Sequence, residues 1–303
     1  MDFKQIEAFV NVVRYKSFSK AADATFFTQP TISTHIRNLE KELGVKLLDR
    51  KNRFVEMTPQ GAKFYKYAVE MVNARAQAID AISNNDANIN GILEIQTSTI
   101  PGVTFLPKYL ADFRAEHSGI QYYVSMSDTQ TVIDNIIERR GEIGFVGDEV
   151  ANHSITSVKL MSDKVVVISP KSYGLPNKVE LSEIVGYPFI WRETGSATRK
   201  TFETAALSLG YDKEVFDIAG MFDDIASIIR AVEEGLGIAI ISERMAATIG
   251  DKVSISEISD FSEPRDFYMI HLKTSSLSPA AEAFAGFVKK EFGHSSESSE
   301  ETE

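Results

Sequence analysis

Within the stretch QPTISTHIR, Gln29, Pro30, Thr31, Ser33, Thr34 and Arg37 supply an amide, a proline ring, three hydroxyls and a guanidinium, and no carboxylate follows until Glu40. Such a set suits the major groove of DNA. Gln, Ser and Thr hydrogen-bond base edges or phosphate oxygens, Arg takes guanine or phosphate, and the proline ring can touch a thymine methyl. Covalent and metal chemistry have no comparable support. The chain has no cysteine, and its five histidines include no H-x-x-x-H pair. G-x-S-x-G, P-loop and H-E-x-x-H patterns are absent, and GLGIA at 235–239 reads as a helix end running into a strand. We therefore expect no catalytic residues, no metal and no cofactor.

The elements that would position this face are short helices. Phe3, Ile6, Phe9, Val10 and Val13 recur at helical spacing. Ser17 is a suitable N-cap for KSFSKAADAT, with Ala21 and Ala22 as small contacts. Thr28 caps the next helix, Pro30 sits in its first turn, and Gly44 stops it. Ile32, Ile36, Leu39 and Leu43 form its expected inward stripe. VKLLDRKNRFVEMTPQG then alternates and turns like a two-stranded wing, placing Lys51 and Arg53 where a neighbouring minor groove would lie. Three helices and a wing predict a winged helix-turn-helix over 1–60, whose third helix enters a groove with its N-terminus favouring phosphate. A small helical domain that binds protein is the alternative.

From Thr58 to about Ala87 one helical pattern carries Phe64, Ala68, Met71, Val72, Ile79 and Ile82 on one side. A helix this long between domains is expected to pair with its copy in a homodimer or homotetramer. The segment 58–90 is thus a linker and dimerisation helix, ending in the breaker-rich hinge NNDANING. Beyond it strands and helices alternate: ILEIQT, QYYVSM, IGFVG, KVVVIS, PFIW, GIAIIS and DFYMIHL as strands, with helices near 105–116, 129–139, 198–209, 223–234 and 278–292. This α/β alternation predicts open, largely parallel sheets that bind ligands beyond the carboxyl ends of their strands. DKVVVIS and RDFYMIHL read as segments crossing between two lobes, one at about 91–162 with 267–292, the other at about 163–266. The acidic, low-complexity residues 293–303 are expected to be a disordered tail.

The net charge of −11 is unevenly spread. Residues 1–60 hold ten Lys and Arg against seven Asp and Glu, and the remainder holds 22 against 36, a basic head on an acidic body. No apolar run approaches a membrane span, and the start MDFKQIEAF has no signal-peptide core, so a cytoplasmic protein with no membrane partner is expected.

SFSKAADATFFTQPTISTHIRNLEKELGVKLLDR together with MTPQG resembles the N-terminal signature of LysR-type transcriptional regulators. The long helix and the two-lobed body resemble that family's linker and effector-binding domain. The resemblance spans about 1–292. It implies a winged helix-turn-helix, a linker helix and a two-lobed Rossmann-like (periplasmic-binding-protein-like) effector domain over 91–292. It also implies dimers of dimers on interrupted palindromes in promoter double-stranded DNA, with RNA polymerase as a further partner. Thr28, Gln29, Pro30 and Ser33 match the family's T-Q-P-x-x-S opening. Thr34 stands where Arg or another long polar residue is common, so the longer side chain's reach to a base or phosphate is lost while the shorter hydroxyl of Thr34 stays on the DNA face. Arg37, Arg50 and Arg53 fall at backbone-contact positions, although Arg50 could instead pair with Glu40 or Glu42.

In the body the resemblance places Ser98, Thr99 and Ile100 of TSTIPGVTFLP at a cleft corner, Thr129 at a helix start on the cleft side, and Gly147 and Glu193 nearby. RETGSATR resembles a Gly-Ser-Gly-Thr-Arg segment, with Ser196 and Thr198 before a helix where hydroxyls and N–H groups hold an anion; Ser196 as a plain cap is the simpler role. Asp224 stands where a serine is common and Ile229 where a lysine is common. A carboxylate there disfavours an anion. The expected effector is a small polar molecule, with an organic or sulfur-type oxyanion open and a cation or zwitterion, such as an amino-acid derivative, as the alternative. The reading is a DNA-binding regulator controlled by that effector. An enzyme or a ligand-binding module with an appended DNA-binding head is the alternative.

Overall fold

The computed structural model describes residues 1–25, 27–49, 55–83, 89–261 and 264–297. Residues 1–89 with Glu138–Arg140 and Thr274–Glu282 form one compact unit, and the rest of the described chain forms the other.

In the first unit, α1 (Phe3–Tyr15), α2 (Phe18–Thr25) and α3 (Gln29–Leu43) precede an antiparallel pair, β1 (Leu48–Asp49) and β2 (Glu56–Met57), and the long α4 (Pro59–Ser83). Asp2 opens α1 with a reciprocal capping box to Gln5, and Lys16 in the left-handed region closes it. Ile6, Phe9, Val12, Ala21, Ile32, Ile36, Leu39 and Ala68 share one core. Leu43, expected in the inward stripe of α3, is 36% exposed. The fourth inward place is taken by Glu40, which is buried. Its carboxylate accepts from Leu47 N at 2.9 Å, Leu48 N at 3.3 Å and Lys46 Nζ at 2.7 Å, tying α3 to the wing.

Burial alone would raise the Glu40 pKa; the Lys46 hydrogen bond and the two backbone N–H groups outweigh it and hold the carboxyl below its ordinary value. A depressed carboxyl contributes stability that is complete above the unfolded value of about 4.3 and is lost as pH falls through the folded value. Glu40→Gln is expected to cost about 1.5–3 kcal/mol at neutral pH. Denaturant titrations should also show the variant losing less stability than the parent below pH ~4.

The turn into α4 explains MTPQG. Thr58 N donates to Leu47 O at 3.0 Å, Thr58 Oγ1 accepts from Gly61 N at 3.0 Å, and Pro59 takes the first helical position. A Cβ on Gly61 would collide with the Leu47 carbonyl. Gly61→Ala is therefore expected to destabilise the head by about 1–3 kcal/mol, read as a drop in the denaturant midpoint.

Helix α4 starts and ends inside the expected 58–87. Tyr65, Ala68 and Val69 are buried, whereas Ile79 and Ile82 are 46% and 81% exposed. The stripe read along the whole helix is thus covered only over its first half, because the head core extends no further along α4. Asn73 and Gln77 donate to the carbonyls of Ser276 and Leu277, and Arg139 pairs with Glu70 at 2.7 Å, which joins the two short segments to this unit.

The second unit holds two sheets. The first runs β4 (Ile120–Ser127), β3 (Gly91–Ser98), β5 (Ile143–Val146), β13 (Arg265–Leu272) and β6 (Ile155–Asp163). The second runs β10 (Asp217–Phe222), β9 (Pro188–Arg192), β11 (Ile238–Ser242), β7 (Val165–Ser169), β12 (Ser254–Ile258) and β8 (Lys178–Val179). β3, β4 and β5 run parallel, as do β9, β10 and β11. The body's antiparallel pairings all involve β7 or β13, the strands by which the chain crosses between sheets. The sheets are therefore mixed rather than largely parallel: a crossing strand enters its sheet against the direction of its neighbours.

Helices follow the strand ends: α5 (Thr99–Thr104) and α6 (Leu106–Glu116) after β3, α7 (Thr129–Ile137) after β4, α9 (Ala197–Ser208) after β9, and α10 (Ile225–Glu233) after β10. Two short ones, α8 (Leu181–Ile184) and α11 (Glu243–Ala246), lie in the second lobe. Helix α12 (Pro279–Glu297) runs past Phe292 into the segment expected to be tail; residues 298–303 lie outside the described residues. The hinge residues 84–88 also lie outside them. No described helix is long and apolar enough to cross a membrane.

Candidate functional site

Helix α3 is the second helix of the helix-turn-helix. Thr28 Oγ1 accepts from Thr31 N at 3.4 Å and lies 2.8 Å from Thr31 Oγ1. Gln29, Pro30, Thr34 and Arg37 are exposed, and Thr31 and Ser33 are half-buried beside them. Ser19 Oγ, on α2, donates to Gln29 Oε1 at 3.2 Å, which fixes the amide and turns its NH₂ group to an external acceptor. This support was not read from the sequence, although Ser19 stands in the helix-turn-helix stretch. Thr34 Oγ1 donates to Pro30 O at 2.9 Å, so its hydroxyl has only acceptor capacity left. Arg50, Lys51 and Arg53 lie outside the described residues. With Arg37 on a phosphate, Arg37→Ala is expected to weaken binding across sequences and to lower the slope of log K against log salt by about one, which fluorescence anisotropy at several salt concentrations would measure.

The second site is a cavity of about 20 Å³ at the carboxyl ends of β3, β4 and β9, room for about one water. Ser98, Thr99, Ile100, Thr129, Gly147, Glu193, Ser196 and Thr198 all line it; Asp224 does not. Asp224 is exposed and caps α10, accepting from Ser227 N and Ser227 Oγ at 2.8 Å each. Those Ser227 bonds hold its pKa below the ordinary value. Asp224 thus stays ionised and interacts with the Arg192 charge without lining the cavity itself.

Two guanidinium groups that the sequence reading passed over face the cavity. Arg192 Nη2 donates to Thr99 Oγ1 at 3.2 Å and to Glu193 Oε1 at 2.7 Å, while its Nε donates to Glu193 Oε2 at 2.8 Å. Arg265 Nε and Nη2 both donate to Asp163 Oδ2, at 3.0 and 2.9 Å, and its Nη1 donates to Thr198 Oγ1 at 2.7 Å. Arg265 and Asp163 are register partners where β13 and β6 meet, so this buried pair ties the crossing strands together. Burial pulls the Arg265 pKa below its ordinary value, with Asp163 opposing. A signal for Arg192 was present: a cation ends the apolar run PFIWR just before the Thr-Gly-Ser turn.

Hydroxyls complete the lining. Ser196 caps α9, accepting from Arg199 N at 3.4 Å. Asp128 precedes α7 and accepts from Thr131 N at 3.0 Å; burial raises its pKa, and the Thr131 bonds more than reverse that. Lys200 pairs with Asp148 across the cleft, and Gly195 packs against Asp128 so closely that a Cβ would collide with the carboxylate.

A helix-turn-helix head carrying a carboxylate-free polar face, with a two-lobed α/β body around a polar cleft, defines the class of protein: a DNA-binding module coupled in one chain to a ligand-binding module. Residues 3–62 match the model of bacterial regulatory helix-turn-helix proteins of the lysR family, and residues 87–293 match the LysR substrate binding domain. The chain belongs to the LysR family and is a DNA-binding transcriptional regulator with an effector-binding domain, not an enzyme. The transcriptional activator CmpR of Synechocystis sp. is 27% identical over 94% of this chain and 93% of CmpR. Full-length CbnR complexed with target DNA shares the fold with a TM-score of 0.64 and 18% identity, over 96% of this chain and 99% of CbnR. The effector binding domain of QuiR in complex with shikimate gives 0.61 and 17%, over 68% of this chain and 99% of that domain.

Proposed function

We propose that the N-terminal face of α3 reads promoter DNA and that a small polar effector in the body's cleft sets how tightly the protein binds or bends that DNA. The observation that carries this is the convergence of Ser98, Thr99, Thr129, Ser196 and Thr198 on one cavity in a chain of this family. Gln29, Pro30, Thr31, Ser33, Thr34 and Arg37 contact the duplex, joined by Arg50, Lys51 and Arg53 of the wing. The working form is a homodimer or homotetramer in the cytoplasm. Ile79 and Ile82 at the surface of α4 are apolar side chains that a second copy would cover. RNA polymerase is the further partner at the promoter.

Ligand control requires differential affinity for two states. CbnR is seen on target DNA and QuiR with shikimate, and both events on one chain are what this reading joins. A thermal-shift screen of the whole protein against anionic and zwitterionic metabolites tests it. A ligand at 100 times its Kd adds about 2.7 kcal/mol of stability. The hit should vanish in Thr129→Val and should change DNA affinity or the bend angle measured by energy transfer across the site. A cleft ligand that leaves both unaltered contradicts the coupling.

A further inference from the structure

We propose that Arg192 sets the effector class of this chain, and that the class is a small oxyanion which takes the place of the Glu193 carboxylate on the Arg192 guanidinium. The inference rests on the cleft being the effector site and adds what binds there.

Four observations carry it. First, the Arg192 side chain is 5% exposed, so it sits inside the lining rather than at the rim. Second, its charge partner is its own chain neighbour. Glu193 satisfies Nε and Nη2 in a side-by-side geometry that an oxyanion reproduces, and with 23% exposure it can swing to solvent. Arg265 has no such replaceable partner: its carboxylate, Asp163, is fully buried beneath it. Third, Ser98 and Thr129 are buried, with 6% and 8% exposure, line the same cavity, and have no side-chain hydrogen-bond partner among the described residues. Both hydroxyls open onto the cavity and can donate to a ligand or water with acceptor atoms. Fourth, the free space is about 20 Å³, to which a departing Glu193 carboxylate adds its own volume. That space suits an ion of a few heavy atoms. Asp128, the remaining carboxylate of the lining, is turned onto Thr131 and leaves the guanidinium side of the cavity to Arg192.

Trp191, the chain's single tryptophan, adjoins Arg192 and stacks on the Arg199 guanidinium at 4.4 Å, so intrinsic fluorescence of the full chain reports the site. The probes are sodium sulfate, nitrate and acetate at constant ionic strength, with glycerol as a neutral control and shikimate as a larger acid. At least one of the three small anions should change Trp191 emission saturably. Arg192→Gln should weaken that binding by about tenfold or more, and Arg192→Lys, which keeps the charge without the fork, should fall between. Glu193→Gln should bind the anion more tightly than the parent, because the competing carboxylate is gone; a merely structural role for the pair would not produce that gain.

Three results overturn the proposal: no saturable change with any small anion, equal affinity in Arg192→Gln, or weaker binding in Glu193→Gln. Saturable shikimate binding that is lost in Thr129→Val and indifferent to Arg192→Gln removes the oxyanion and leaves the effector cleft standing. Anion binding indifferent to Ser98→Ala, Thr129→Val and Arg192→Gln alike removes the cleft reading as well.

Discussion

Asp163→Asn is expected to lower the stability of the effector-binding body by about 3–5 kcal/mol, because it leaves the buried Arg265 guanidinium without its carboxylate and with Thr198 Oγ1 still accepting from Nη1. The pair sits where β6 and β13 pass between the two sheets, and Asp163 also accepts from Arg244 N at 3.4 Å. Desolvating both charges is expensive in itself, so the pair need not add net stability; the large effect comes from removing one member alone. The double variant Asp163→Leu, Arg265→Met should therefore recover much of the loss. Denaturant unfolding of the parent, the single and the double variants measures both numbers. A cost below about 1 kcal/mol for Asp163→Asn would show that the guanidinium finds water or another acceptor between β6 and β13.

Gln29→Ala is expected to cost about 1–3 kcal/mol of binding on the cognate site, a factor of about 5 to 150, and much less on random duplex. Ser19 holds the Gln29 amide before DNA arrives, so Ser19→Ala should reproduce part of that loss without touching DNA itself. Anisotropy titrations on cognate and scrambled duplexes separate the two effects. Equal losses on both would reassign Gln29 to the phosphate backbone.

The head was legible in the sequence because its signals are local. Thr28 as cap, Pro30 in the first turn and Gly44 as stop mark the ends of α3 within one stretch of chain. What escaped was Glu40 in the inward stripe, since a carboxylate among apolar neighbours is explained only by the wing's N–H groups, which come from Leu47 and Leu48. In the body the corner at Ser98 and the cleft placing of Ser98, Thr129 and Ser196 came from the family resemblance, whereas the helices that begin near Thr129 and Thr198 were legible from the same kind of local pattern. The strands β6, β10 and β12 were not, because ITSVKLMSD, DIAGMF and SISEI mix polar and apolar residues without a clean run. Arg265 escaped for a different reason: its partner Asp163 is set by tertiary pairing across 102 positions, and the contact that turns Arg192 to the cavity, to Thr99, likewise spans 93 positions beside its local pair with Glu193. Asp224, placed by the family resemblance, caps its own helix and does not line the cavity, a detail that only the folded chain shows.

Whether α3 of this chain reads a DNA sequence is tested most directly by selection from a random-sequence duplex pool with the full-length protein, which needs no known target. The expected result is enrichment of an interrupted inverted repeat, with half-sites about one helical turn or a multiple apart, and loss or change of the enriched bases in Gln29→Ala. A pool that stays random after repeated selection, or an identical motif recovered by Gln29→Ala, would contradict sequence reading by this helix.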